Sequence, residues 1–262
     1  MHKRRLSLSK EKMTTVILSA LGVGGATVIG ALLCIAFGRF AQKYSKIFLA
    51  FAEGVMLAAA IIGLILPSIE QGGDYALIVT VSGIFVGAIC LNIVDMFAPH
   101  LHKLVGVNAQ ENQTKQIDKI ILLVVALAIH NLPEGLATGI GFGMEDKTDA
   151  ILIAISIALH NIPQGVIIVS SMVGANVSKT KAFWIAVFTG LIEAVGILLG
   201  YFAVSIATVI LPFGLAFAGG TMLHVVCNEM IPETHTEEHN KGVSYWLLIG
   251  FCLMLVLDVV LG

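Results

Sequence analysis

Charged side chains are scarce in this sequence: 12% of its 262 residues are Asp, Glu, Lys or Arg, about half the ~25% found in a soluble domain. The net charge is only −2, which removes any reason to expect a nucleic-acid partner. Cysteine is also sparse. Cys34, Cys90, Cys227 and Cys252 stand alone inside apolar runs with no CxxC spacing, so they read as small apolar fillers rather than disulfides or a thiolate zinc site. No HExxH and no Ser–His arrangement occurs, so the common signatures of metal-assisted and nucleophilic hydrolysis are missing.

What fills the chain is hydrocarbon. Hydrophobic residues make up 57% of it, and the mean hydropathy is +0.94. Eight apolar runs lie at approximately 14–38, 47–69, 76–98, 118–143, 149–173, 181–205, 208–231 and 243–261. Each is near the ~20 residues that a helix needs to cross a hydrocarbon core of ~30 Å. The expectation is an all-α membrane protein of eight transmembrane helices, with residues 1–262 forming a single polytopic domain in a lipid bilayer. Lys3, Arg4 and Arg5 imitate the start of a secretory leader. The run from Thr14 to Gly38 exceeds the roughly 7–15 residues of a leader core and has no clear small-x-small cleavage site, so it is expected to remain as the first helix.

The basic residues orient the bundle. With the N-terminus outside, nine of the fifteen (Arg39, Lys43, Lys46, Lys103, Lys115, Lys119, Lys179, Lys181 and Lys241) fall in inner loops. Lys147 alone falls in an outer loop, and the other five are in the N-terminal tail. The positive-inside rule then places both termini outside a cell membrane. The stretches His100 to Gln116 and Glu233 to Gly242 are expected as polar inner loops.

Against this apolar background two hexapeptides stand out, His130-Asn-Leu-Pro-Glu-Gly135 and His160-Asn-Ile-Pro-Gln-Gly165. Imidazole, amide and carboxylate groups are costly at membrane depth and ordinarily mark a function. On a helix His130 and Glu134 share a face, with Asn131 about 100° away at its edge. His160, Asn161 and Gln164 repeat the pattern. Pro133 deprives the carbonyl of Ile129 of its helical donor, and Pro163 does the same to Leu159. Paired helices with broken hydrogen-bond ladders at polar residues are how many transporters build a substrate site. Nitrogen and oxygen donors without thiolate suit borderline divalent ions, zinc first, with Fe²⁺, Mn²⁺ or Co²⁺ as alternatives.

Further polar groups lie inside the runs. Glu193 is a mid-span carboxylate expected to point at the same cavity. His224, Asn228 and Glu229 lie toward the inner end of the seventh run and Asp95 toward that of the third; each reads either as an exit or relay group or as an interfacial side chain. Met56 offers a thioether, although on residue type alone such methionines mostly pack. Two other readings stay open at this level: an intramembrane metal-dependent hydrolase, and a metal-binding membrane protein that moves nothing.

The paired hexapeptides resemble the fourth- and fifth-helix signatures of ZIP-family divalent metal transporters, in the prokaryotic GufA-like branch. Phe51-Ala-Glu-Gly-Val-Met-Leu57, Asn228-Glu-Met-Ile-Pro-Glu-Thr-His235 and the segment Gly250 to Gly262 are similar to the second, seventh and eighth helices of that family. The resemblance implies an eight-helix bundle with kinked helices four and five around a two-metal site. It implies His130, Asn131, Glu134, His160, Asn161 and Glu193 as ligands, with Met56 facing one metal. It also implies inward movement of Zn²⁺, with Cd²⁺, Fe²⁺ or Mn²⁺ as alternatives, by an elevator-like or rocking motion. A homodimer is compatible with the sequence but not required by it. One position departs from the family pattern: Gln164 stands where a second glutamate is usual, which predicts a weakened second metal position.

Overall fold

The computed structural model describes residues 2–104, 131–144, 147–174, 176–235 and 241–261, and everything among them is helix or short turn. Helix α1 spans His2–Lys43, with a non-helical kink at Phe37. Helix α2 begins as Ser45–Ala58, widens to a π-helix over Ala59–Ile65 and returns to α over Leu66–Gln71. A tight turn through Gly73, in the left-handed region at φ 58°, leads into α3, Ala76–Leu104. Of the fourth run, 131–141 is described as helix α4. Then follow α5 (Lys147–Gly174), α6 (Lys179–Ile206), α7 (Leu211–Val225, widening to π over Val226–Met230 before Ile231–Thr234) and α8 (Lys241–Leu261).

Seven of these helices are long and apolar enough to cross a membrane, and 131–141 belongs to the one remaining run, the fourth. The molecule is multi-pass. Large apolar side chains face outward, as lipid demands: Val259 is 81% exposed, and Ile78, Phe188 and Leu18 are comparably bare. Two boundaries differ from expectation. Helix α1 starts well before the apolar run, because Lys, Arg, Glu and Leu are good helix formers whether or not lipid surrounds them. Helix α3 continues to Leu104 through the stretch that begins the predicted polar loop, for the same reason; 105–130 and 236–240 lie outside the described residues.

The helix ladder opens in unexpected places. Helix α5 is continuous through Pro163, whereas the wide π turns in α2 and α7 each end just ahead of a proline, Pro67 and Pro232. A proline removes one donor, and a lengthened i→i+5 pattern is one way the freed carbonyls are satisfied again.

Glycine contacts divide the bundle in two. A methyl group on Gly135 or Gly139 of α4 would collide with the carbonyls of Glu193 or Ile197 on α6. Gly30 and Gly165 bring α1 equally close to α5, and Gly24 meets Gly190 between α1 and α6. In the other half, Gly54 and Gly250 join α2 to α8, while Gly87 and Gly220 join α3 to α7. These backbone-to-backbone approaches stay inside one set, α1, α4, α5 and α6, or the other, α2, α3, α7 and α8. Between the sets the glycines meet side chains instead, Gly63 facing Ile153 and Gly214 facing Ile140. Small residues permit the close van der Waals packing that holds helices together in lipid. Backbone contacts thus pin the helices within each set, and where glycines line the seam it is closed by side chains, which yield more readily than backbone.

Candidate functional site

The polar residues are buried where the apolar ones are exposed. Asn131 and Glu134 project from α4, His160, Asn161 and Gln164 from α5, and Glu193 from α6; all are buried. Helical spacing puts the α4 pair on one face and the α5 trio on another, and the glycine contacts press α4 and α5 against their neighbours.

Hydrogen bonds tie these groups across helices. Gln164 Nε2 donates to Asn131 Oδ1 at 2.7 Å, joining α5 to α4. Asn161 Nδ2 donates to Glu193 Oε2 at 2.6 Å, joining α5 to α6. The same amide group also donates to the backbone oxygen of Val23 on α1 at 3.0 Å. Asn131 Nδ2 donates to the backbone oxygen of Thr189 on α6 at 3.2 Å. His160 Nε2 lies 3.4 Å from Glu134 Oε1. Both carboxylates, Glu134 and Glu193, are buried in this cluster, each beside a side chain of α5.

Among the described residues, several atoms of this cluster have no hydrogen-bond partner despite full burial: Glu134 Oε2, His160 Nδ1, Asn161 Oδ1, Gln164 Oε1 and Glu193 Oε1. A buried polar atom left so costs about 1–3 kcal/mol, and more when charged. Four of these five atoms are oxygens with lone pairs to give, and a neutral imidazole nitrogen can do the same. The chemistry they share is donation to a cation. Among the described residues, no three His, Cys, Asp or Glu side chains make a metal cage by themselves; the amide oxygens of Asn161 and Gln164 are the remaining donors at hand.

The expected residues are only partly brought together. His130 lies outside the described residues. Met56 is fully buried within the main apolar cluster of α2. His224 and Asn228 are 3.1 Å apart on α7, with Asn228 in the π turn. Among the described residues, no hydrogen bond connects that pair to the central cluster. The side chains of Asp95 and Glu229 lie outside the described residues.

Two features were not anticipated. Helix α1 enters the site through the Val23 carbonyl, and Thr27, fully buried with its Oγ1 unpartnered, sits one turn further on. Glu53 on α2 is a third buried carboxylate, outside this cluster, accepting from Thr234 Oγ1 at 3.2 Å; that hydroxyl also lies 2.9 Å from His235 Nδ1. A carboxylate in the middle of an apolar run was the available signal for Glu53, and a threonine in one for Thr27.

Comparison with known proteins decides the family. The family model described as "ZIP Zinc transporter" matches residues 106–258. The chain belongs to the ZIP zinc transporter family. Zinc transporter GufA of Myxococcus xanthus is 33% identical over 252 residues, covering 94% of this chain and 98% of its own length. Zinc transporter ZIPB of Bordetella bronchiseptica is 32% identical, covering 90% and 78% respectively. Zinc transporter ZupT of Chlorobium chlorochromatii is 34% identical, covering 87% and 92%. ZIP membership bears out the resemblance read from the hexapeptides, makes the metal a transported substrate, and sets the hydrolase reading aside.

Proposed function

We propose that this ZIP chain carries divalent transition-metal cations, zinc foremost, across the cell membrane into the cytoplasm, as one polytopic domain with both termini outside. The observation that supports it best is the set of buried, unpartnered donor atoms on three mutually packed helices. Glu134, His160, Asn161 and Glu193 are the proposed ligands, with Asn131 and the undescribed His130 added by family likeness, and Met56 facing the ion from α2. Imidazole and oxygen donors match zinc; Cd²⁺, Fe²⁺, Mn²⁺ or Co²⁺ would be accepted less well.

A cation entering the cluster shares its oxygens with the amide donors. Glu193 Oε2 and Asn131 Oδ1 each keep a second lone pair beside the hydrogen bond from Asn161 Nδ2 or Gln164 Nε2, and Glu193 Oε1 is unpartnered among the described residues. With no thiolate in the set, the site favours release over storage. The ligands must be deprotonated to bind, so acid weakens the site. Passage follows from the soft seam: the set α1, α4, α5 and α6 shifts against α2, α3, α7 and α8, carrying the ion by an elevator-like or rocking motion.

Uptake of radioactive zinc into sealed vesicles tests this reading. Wild type is expected to accumulate the metal and His160→Ala to lose most of that accumulation. Binding without accumulation in the wild type would favour a sensor over a carrier.

A further inference from the structure

The seam between the two helix sets holds an apolar groove at one membrane face. It has two lobes of about 540 and 520 Å³, which share Phe40 of α1, Phe48 of α2, and Ile162 and Pro163 of α5. One lobe reaches Trp246 of α8 and the other reaches Leu33 of α1. Every lining residue of the second lobe is apolar, and Tyr44 and Trp246 give the first its only polar tips. Volumes of this size fall within the about 300–1,000 Å³ of small-molecule sites. Residues from both sets make the walls, so whatever fills the groove touches both.

Its length and its mouth indicate the occupant. On α1 the lining includes Phe40, just past the apolar run 14–38, whereas on α5 it includes Pro163, ten residues from the inner end of the run 149–173. At about 1.5 Å per residue this is about 15 Å, half of a ~30 Å hydrocarbon core. The groove thus runs from the interface to mid-bilayer, the depth of one lipid leaflet. At the interfacial end the ammonium of Lys43 stands 5.3 Å from the centre of the Tyr44 ring. Arg39 and Lys46 belong to the same short basic stretch of sequence. Aromatic residues flank the mouth as they do at membrane–water interfaces. A long apolar slot with the Lys43 ammonium beside its mouth complements a hydrocarbon tail ending in a negative phosphate.

We propose that this groove is a binding site for one acyl chain of an anionic phospholipid, its phosphate beside Lys43. The lipid bridges the moving seam directly behind the turn of α5 that carries Asn161 and Gln164. With the termini outside, the leaflet is the cytoplasmic one, where anionic lipids are concentrated. The site itself does not depend on the transport reading, and its test reads binding alone.

Trp184 and Trp246 are the only tryptophans. Trp184→Phe therefore leaves Trp246 as a single reporter in the groove wall. The protein is reconstituted in phosphatidylcholine vesicles containing bromine-labelled phosphatidylglycerol or bromine-labelled phosphatidylcholine. Half-maximal quenching of Trp246 is expected at about fivefold lower mole fraction of the anionic lipid, the factor matching about 1 kcal/mol per basic side chain near a charged lipid surface. Lys43→Gln removes the preference and Lys43→Arg retains it. Ile162→Phe, which fills the waist of the groove, reduces quenching by both lipids. In about 1 M salt, where screening acts within ~3 Å, the preference shrinks without any substitution. Equal half-quenching fractions for the two lipids, or a preference that survives both Lys43→Gln and high salt, would overturn the proposal.

Discussion

Gln164 stands where the resemblance to ZIP signatures would place a second glutamate, and Gln164→Glu is the perturbation with the sharpest consequence. In the wild type, Gln164 Nε2 donates to Asn131 Oδ1 at 2.7 Å, so the side chain occupies a candidate ligand instead of supplying charge. Two unit charges 4 Å apart interact by about 4 kcal/mol at an effective dielectric of 20, so two dications at that spacing repel by about 17 kcal/mol. Glu134 and Glu193 are the carboxylates available to answer four positive charges, which leaves a net charge of about +2 in a buried site. Gln164→Glu adds a third carboxylate at the shared position and frees Asn131 Oδ1. At a similar distance its attraction to both ions is of the same order as their repulsion. Purified wild-type protein equilibrated with excess zinc and then desalted is expected to retain one ion per chain by elemental analysis, and Gln164→Glu to retain two. The variant should also be less stable without metal by about 1–3 kcal/mol, because it loses a buried hydrogen bond and gains a buried charge, and zinc should restore the loss. Two tightly held equivalents in the wild type, or an unchanged count in the variant, would refute the reasoning.

Three other expectations follow from the packing and the cluster. Glu193→Gln keeps the shape but removes the charge that accepts from Asn161, and should lower zinc uptake into vesicles by about tenfold or more while the protein still folds. Gly139→Leu drives a side chain into the Ile197 carbonyl, and should destabilise the α4–α6 contact by about 1–3 kcal/mol or more, seen as a lower melting temperature in detergent. Glu53→Ala breaks the bond to Thr234 and should cost about 1–3 kcal/mol in unfolding measurements, yet leave the number of tightly bound zinc ions unchanged.

The membrane-spanning runs and the buried polar cluster of the candidate site were legible in the sequence because both are contrasts. A run of about 20 apolar residues has few other uses, and a repeated His-Asn-x-Pro inside such runs is too costly to be idle. Glu193 was legible for the same reason. The partners were not. Asn161 bonds to the Val23 carbonyl, 138 residues away in sequence, and a backbone oxygen carries no residue-type signal. Thr234 and Glu53 are 181 residues apart and meet only because the last turn of α7 folds back against α2. Proline marked where a donor is missing but not how the helix heals, so the π turns beside Pro67 and Pro232 were invisible while α5 passes Pro163 unbroken. Helix α1 outran its apolar run because hydropathy reports the surroundings of a helix and not its ends.

The central claim is that donors from α4, α5 and α6 share one cation at membrane depth. Anomalous X-ray scattering from crystals grown with zinc measures this directly. The predicted result is a peak at about 2.0–2.2 Å from a nitrogen of His160 and from carboxylate oxygens of Glu134 and Glu193. A peak confined to His224 and Asn228, with none among those three side chains, would contradict it.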